Sequence, residues 1–285
     1  MSNVSSVDSR KVILVIIDGL RDDAARRALG FVEGMIEQGQ GLRTKVKSVL
    51  PSLSRPCYES ICTGMSPLQH GVVGNDIVRI SEEQSIFDVV RAHDLVSAAS
   101  AYYWFSELYC AAPFDPVRHR ERNDGEGRIA SGRFYYEDSY PDSHVFSEAE
   151  SLRQTIQPDF LLIHPMGVDD AGHQFGSSSK QYNGQAMRID HLLARLLPEW
   201  IRSGYDVLVT ADHGMDEFGF HGGTDFGVRD VPLYVFSPLL KIAGLDEEHL
   251  FPQTSIAALC CRLLRLSPAT SMAPLPKYVL TNWFS

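Results

Sequence analysis

Seven side chains in this sequence are of the types that hold divalent cations and attack a phosphorus centre: Asp18, Ser54, Asp169, His173, Asp212, His213 and His221. They sit in four short segments, VILVIIDG (12–19), PSLSRP (51–56), VDDAGH (168–173) and TADHGMDEFGFHGG (210–223). Carboxylate oxygen and imidazole nitrogen suit zinc-like ions, and a catalytic site keeps one position open for water, nucleophile or substrate. Asp169 and His173 stand four apart around a glycine, so both can face one ion, with His221 as a third ligand. Asp18, Asp212 and His213 can hold a second ion, which Ser54 completes through its oxygen. Two ions about 4 Å apart clamp the attacking and leaving oxygens of an in-line displacement. A serine hydroxyl is a poor nucleophile at neutral pH, and a cation favours its alkoxide. A covalent phosphoseryl intermediate on Ser54 is therefore the expected mechanism.

These groups can meet only if the fold brings four distant segments to one place. Three of the segments follow apolar runs that read as buried strands, and open α/β sheets gather ligand-binding groups beyond the carboxyl ends of such strands. The pattern predicts a strand over 11–17, a helix over 22–38 stopped by Gly39, and a strand over 44–49. The turn at 51–54 leads into a helix with Ser54 at or next to its N-cap and Pro56 in its first turn, which directs amides and a positive end at a phosphate. Further on the pattern predicts a helix over 86–93, a strand over 96–103, a helix over 147–157, a strand over 159–164, a helix over 181–203 and a strand over 206–210. Strands alternating with helices imply a single α/β domain over residues 1–285, with a mainly parallel central sheet and helices on both faces. Residues 104–146 lose periodicity and carry prolines, charges and aromatics, which predicts a small cap insertion facing the substrate.

Composition restricts the partners. A net charge of −10 and a pI near 5.4 argue against a groove for polymeric nucleic acid, which needs a basic stripe. A small phosphorylated substrate stays compatible, because bound cations reverse the local field. The amino terminus, MSNVSSVDSRK, shows no signal-peptide pattern, and no run approaches the length of a membrane span. A cytoplasmic protein without membrane contact is expected. The five cysteines, Cys57, Cys62, Cys110, Cys260 and Cys261, show no metal or redox spacing and read as free thiols.

The motifs resemble those of the alkaline phosphatase superfamily, and most of all its nucleotide pyrophosphatase/phosphodiesterase branch. The resemblance rests on Asp18 after the first strand, Ser54 before a helix ending in Thr63-Gly64, and the pair His70-Gly71. It continues with Asp169 and Gly172-His173, Asp212-His213-Gly214-Met215 and the later His221, over roughly residues 11–236. It implies an alkaline-phosphatase-like fold, two divalent ions (zinc, with manganese as the alternative), Ser54 as nucleophile and a small, nucleotide-like phosphodiester substrate.

Cys57 stands three residues after Ser54, where the resemblance leads us to expect a phosphate-contacting asparagine. Arg55 or one of Arg118, Arg120 and Arg122 would then have to meet the phosphate, while Asn75 reads as a turn residue that could approach the pocket. His221 follows the DHGM segment closely, with His249 as the alternative for the last ligand. His164 reads as a packed core histidine, His70 as a turn stabiliser, and Tyr102, Tyr103, Trp104 and Phe105 as core or pocket wall. Phosphomonoesterase or phosphonate hydrolase activity could use the same core with other groups around the phosphate. A phosphoglycerate mutase would need a larger insertion between Ser54 and Asp169, and a sulfatase would need a C-x-P-x-R pattern that is absent. A reading from another class is a metal-stabilised binding protein without turnover.

Overall fold

The run KVILVI is buried along five of its six residues, which leaves it no solvent face and places it in the middle of a sheet covered on both sides. A computed structural model describes residues 10–123 and 125–284. The amino-terminal residues read above for targeting signals, apart from Arg10 and Lys11, lie outside the described residues. The elements run β1 (Lys11–Ile16), α1 (Asp22–Ala28), α2 (Gly30–Glu37), β2 (Leu42–Lys47), α3 (Ser54–Thr63), α4 (Pro67–His70) and α5 (Ile86–Ala92). Next come β3 (Ser97–Tyr102), α6 (Tyr103–Tyr109), β4 (Glu121–Arg122), β5 (Ser131–Tyr135), α7 (Asp142–Ile156), β6 (Phe160–Ile163) and α8 (Gly167–Phe175). The chain continues with α9 (Lys180–Arg202), β7 (Tyr205–Thr210), α10 (Phe226–Arg229), β8 (Asp230–Phe236), β9 (Gly244–Pro252) and α11 (Ile256–Leu264).

The strands form one sheet in the order β4-β5-β3-β6-β1-β7-β8-β2-β9. Its centre, from β5 to β7, is parallel, as the alternation of strands and helices predicts. β8 pairs antiparallel with both β7 and β2, and β4 antiparallel with β5, so the sheet is mixed toward its edges. Helices α1, α2, α7 and α8 all pack on α9, and α3 and α5 pack on α11. β7 meets α9 while β1 meets α11, so the two helical groups cover opposite faces. Among the described residues no helix is long and apolar enough to cross a membrane.

Three expectations change. The helix predicted over 22–38 breaks at Leu29, whose ψ of 60° is not helical. The Asp190 carboxylate of α9 accepts the amides of Phe31 and Val32 at 2.9 and 3.1 Å, capping a new helix there. Residues 104–146 do not stand apart as a cap. They supply α6, the edge strand β4 and the strand β5 that extends the main sheet beside β3. The irregular sequence hid β5 because it is only five residues long. Finally, the VDDAGH segment is helical and not a glycine turn: it forms most of α8.

Candidate active site at the carboxyl edge of the sheet

β6, β1 and β7 are neighbours and parallel, so their carboxyl ends open at the same edge. Asp18 follows β1, Asp212 follows β7, and Asp169 stands in the first turn of the helix that follows β6. Gly19 donates its amide to Asp212 Oδ1 at 3.1 Å. It has φ +71°, and a Cβ there would lie 2.8 Å from the Asp169 Cα. Only glycine lets β1 turn this close to α8.

On α8 the i, i+4 spacing puts His173 over Asp169, with Nε2 3.3 Å from Oδ2. His221 Nε2 lies 3.2 Å from His173 Nε2, and the His221 ring stacks on His213 at 3.8 Å. His213 Nε2 in turn lies 3.2 Å from Asp212 Oδ2, 3.5 Å from Asp18 Oδ1 and 3.0 Å from Ser54 Oγ. All seven residues predicted for the metals and the nucleophile therefore gather in one cluster. One of the two groups is the one read from the sequence, and the other gains His213. Ligand atoms of Asp18, Asp212 and His213 lie within 4.8 Å of one another, and so do those of Asp169, His213 and His221. His213 stands between the two groups, and His173 flanks the second.

The donors fit divalent cations on two observations. Each histidine places Nδ1 against a backbone carbonyl, His173 at Gly219 (2.8 Å), His213 at Gly214 (2.9 Å) and His221 at Ser52 (3.1 Å). With Nδ1 engaged there, every Nε2 faces the cluster and can serve as a cation ligand once any proton on it is displaced. Each acid also keeps one buried oxygen without a hydrogen-bond partner: Asp18 Oδ1, Asp169 Oδ1 and Asp212 Oδ2. Burial, with the charges of Asp18 and Asp169, pushes the Asp212 carboxyl well above the usual range. Burial and the Asp18 charge likewise raise Asp169. Burial opposes ionisation of Asp18 as well, but the His164 hydrogen bond, the charges of His213 and His164, and the Tyr58 hydroxyl together hold it at about 2. The hydrogen bond to Asp169 lifts His173 to about 9, whereas burial and His213 depress His221 to about 4. Carboxylates crowded this tightly need a positive partner to stay ionised together.

Ser54 is the first residue of α3, and Leu53, its N-cap, offers no side-chain cap. The expected fan of helix amides is reduced. The Arg55 amide goes to Asn75 Oδ1 at 3.0 Å and Pro56 has none, so the Ser54 amide is the one left in that stretch. Arg55 is buried. It donates to the Asn75 carbonyl (3.0 Å) and Glu107 Oε2 (2.7 Å) and lies 4.6 Å over the Trp104 ring, so it clasps Asn75 and α6 to the serine helix. Asn75, with its oxygen fixed beside Ser54, has its amide nitrogen as the free end.

Cys57 does not take the expected asparagine's place. Its thiol is fully buried, hydrogen-bonded to Gln253 and pushed far up by burial and by Asp212 and Asp18. Arg118 pairs with Asp115, Arg120 with Tyr140 and Arg122 with the Glu126 carbonyl, all on the irregular segment. His249 lies elsewhere, on Asp246 and stacked against Tyr278. Asp170 faces Gln174, His70 braces the turn after α4 through Ser60 and Val72, and Phe105 is core while Tyr103 and Trp104 are partly exposed.

Three residues escaped sequence reasoning. Gln253 donates to the Asp212 carbonyl at 2.5 Å and accepts from Val49, anchoring the DHGM turn. Tyr58 and His164 both bond Asp18 Oδ2. The position of His164 directly after β6, like that of Asp18 after β1, was the available signal.

The sequence profile described as type I phosphodiesterase / nucleotide pyrophosphatase matches residues 12–225. GPI ethanolamine phosphate transferase 2 of Debaryomyces hansenii is 25% identical over 236 residues, covering 81% of this chain and 26% of its own length. Its namesake in Schizosaccharomyces pombe is 30% identical over 255 residues, covering 83% of this chain and 32% of its own. The chain thus spans about a quarter to a third of these relatives. Murine ectonucleotide pyrophosphatase / phosphodiesterase 5, solved as an inactive threonine-to-alanine variant in complex with AMP, shares the fold at a TM-score of 0.77 and 15% identity, over 97% of this chain and 100% of that one.

Proposed function

The chain belongs to the type I phosphodiesterase / nucleotide pyrophosphatase family, and from that premise we propose that it is a two-metal phosphodiesterase acting on a small phosphodiester through a phosphoserine on Ser54. One observation carries the reading: three buried carboxylates, each with an unpartnered oxygen, surround His213, whose Nε2 lies 3.0 Å from the Ser54 oxygen. The chemistry expected of two divalent ions among these donors, zinc or manganese, is to favour the Ser54 alkoxide and neutralise charge on the phosphoryl oxygens.

The rest falls to the chain itself. Ser54 Oγ attacks phosphorus as the bond to the leaving alcohol or phosphate breaks in line, the leaving oxygen keeps that bond's electron pair, and the serine proton passes through solvent to it or to bulk water. Water then attacks the phosphoserine from the opposite side and Ser54 departs, which restores the hydroxyl. The Ser54 amide and the free amide nitrogen of Asn75 donate to a phosphoryl oxygen, as oxyanion-hole donors do. Asn75 thereby takes the role that the sequence sought at Cys57. The Arg55 clasp to Asn75 and Glu107 keeps both donors on one side of the nucleophile.

A second reading has an observation of its own. The relatives named GPI ethanolamine phosphate transferase suggest that an alcohol, in place of water, takes the phosphoryl group from Ser54. Both readings share the first step. The test is protein stripped with a chelator, reconstituted with zinc or manganese and assayed on an aryl phosphodiester and the matching monoester, with and without ethanol as acceptor. Metal-dependent diester cleavage with a phosphopeptide containing Ser54 trapped at low pH is expected. Hydrolysis alone favours the phosphodiesterase, and alkyl ester product favours the transferase. Monoester preference or no turnover would overturn the proposal.

A further inference from the structure

Asp18 is fully buried, and its two oxygens are treated differently. Oδ2 accepts from the Tyr58 hydroxyl and from His164 Nε2, the latter at 3.1 Å, while Oδ1 has no partner and lies 3.5 Å from His213 Nε2. Two donors on one oxygen hold the carboxylate against rotation about its last bond. The oxygen left over is the one that faces Asp212 and His213.

The donors are themselves held. Tyr58 stacks on Phe105 with ring centres 4.5 Å apart and meets the His164 ring edge-on at 4.8 Å. The Tyr135 hydroxyl donates to the His164 carbonyl at 2.7 Å and lies 3.3 Å from its Nδ1. The nitrogen that donates to Asp18 is Nε2, and Nδ1 is turned to the Tyr135 oxygen. Tyr135, His164 and Asp18 end or follow strands β5, β6 and β1, so this chain of contacts runs along the carboxyl edge of the sheet into the acid cluster.

We propose that His164 and Tyr58 are positioning residues that set the affinity for a divalent cation at Asp18, Asp212 and His213, by fixing which oxygen of Asp18 is presented to it. The inference rests on the metal-dependent reading above. Partners that orient a ligand from behind are worth about 10- to 100-fold in metal affinity. Deleting either donor frees Asp18 to rotate and leaves the cation group formed by Asp169, His213 and His221 with its own geometry.

Calorimetric titration of zinc into chelator-stripped protein makes the test. The wild type is expected to bind two ions. His164→Phe and Tyr58→Phe are each expected to weaken one of them by about 10- to 100-fold, leaving the other within about twofold. His164→Gln, whose amide can reach Asp18 from the same strand end, is expected to recover most of the loss. Tyr58→Phe keeps the ring packed on Phe105, so it serves even if His164→Phe fails to fold. Two ions bound with unchanged affinity in both deletion variants would overturn the inference alone, and equal weakening of both ions would overturn it as a packing defect. A wild type that binds no divalent ion would overturn the metal-dependent reading together with it.

Discussion

Two buried charged clusters in this molecule use the same materials to opposite ends. Beside β2, the Arg43 guanidinium donates to Asp22 at 2.5 Å and to Glu33 at 3.0 Å, and Tyr234 donates to the same Glu33 oxygen at 2.5 Å. At the carboxyl edge, Asp18, Asp169 and Asp212 are buried as deeply, yet each keeps an oxygen unpaired. The first cluster carries its cation in the chain. The second leaves the cation to be supplied, and burial without it raises Asp169 and Asp212 by mutual repulsion. Completeness of pairing, and not burial or charge alone, separates a cluster that holds the fold from one that can do chemistry.

The comparison predicts effects of decreasing size. Ser54→Ala removes the proposed nucleophile from the incomplete cluster and is expected to cost on the order of 10⁴-fold or more in kcat, as loss of other covalent nucleophiles does; the melting temperature of the metal-free protein should stay close to wild type. Residual turnover near the wild-type rate would remove Ser54 from the mechanism. Arg43→Met takes the cation from the complete cluster. Urea unfolding should show about 3–5 kcal/mol of lost stability, the usual cost of stranding a buried acid, with kcat per folded molecule unchanged. A small loss would mean that the two clusters are not as different as their pairing implies.

Asn75→Ala is expected to lower kcat by about 10²- to 10³-fold, as removal of one oxyanion donor does, with little change in the binding of zinc. If KM alone rose, Asn75 would be a contact to the substrate and not to the charge that develops on phosphorus. The smallest effect on stability is the most telling one. Asp212→Asn should stabilise the metal-free protein by roughly 1 kcal/mol while abolishing turnover, because it relieves repulsion that function requires. A carboxyl raised on folding makes the folded state bind more protons than the unfolded one. Its ionisation therefore subtracts stability as the pH climbs from the unfolded value toward the folded one. Chelated wild type should lose stability over that rise more steeply than Asp212→Asn, and parallel curves from urea unfolding would show that the crowding of Asp18, Asp169 and Asp212 has no energetic weight.

Much of this was legible in the residues. The strand at β1 announced itself by an unbroken apolar run, and the α/β class by alternation, since both signals are local. The i, i+4 pair of Asp169 and His173 was legible even with the wrong local structure, because helix and turn alike keep such residues on one side. β5 and the break at Leu29 were not legible. β5 is a strand because β3 lies beside it, and α2 restarts because Asp190, far along the chain, caps it. Composition carries neither fact.

The sequence by itself determined which acids, histidines and serine stand together and the strand ends that carry them, since each depends on residue type and a few neighbours. Only the tertiary structure decided how the donors divide, with His213 between two groups, and which polar residues stand behind them. It sent Cys57 inward to Gln253, brought Asn75 against Arg55, and turned His164 from core filler into a partner of Asp18 across 146 residues of chain. Hydrogen bonds act over about 3 Å, and only folding determines which residues come that close.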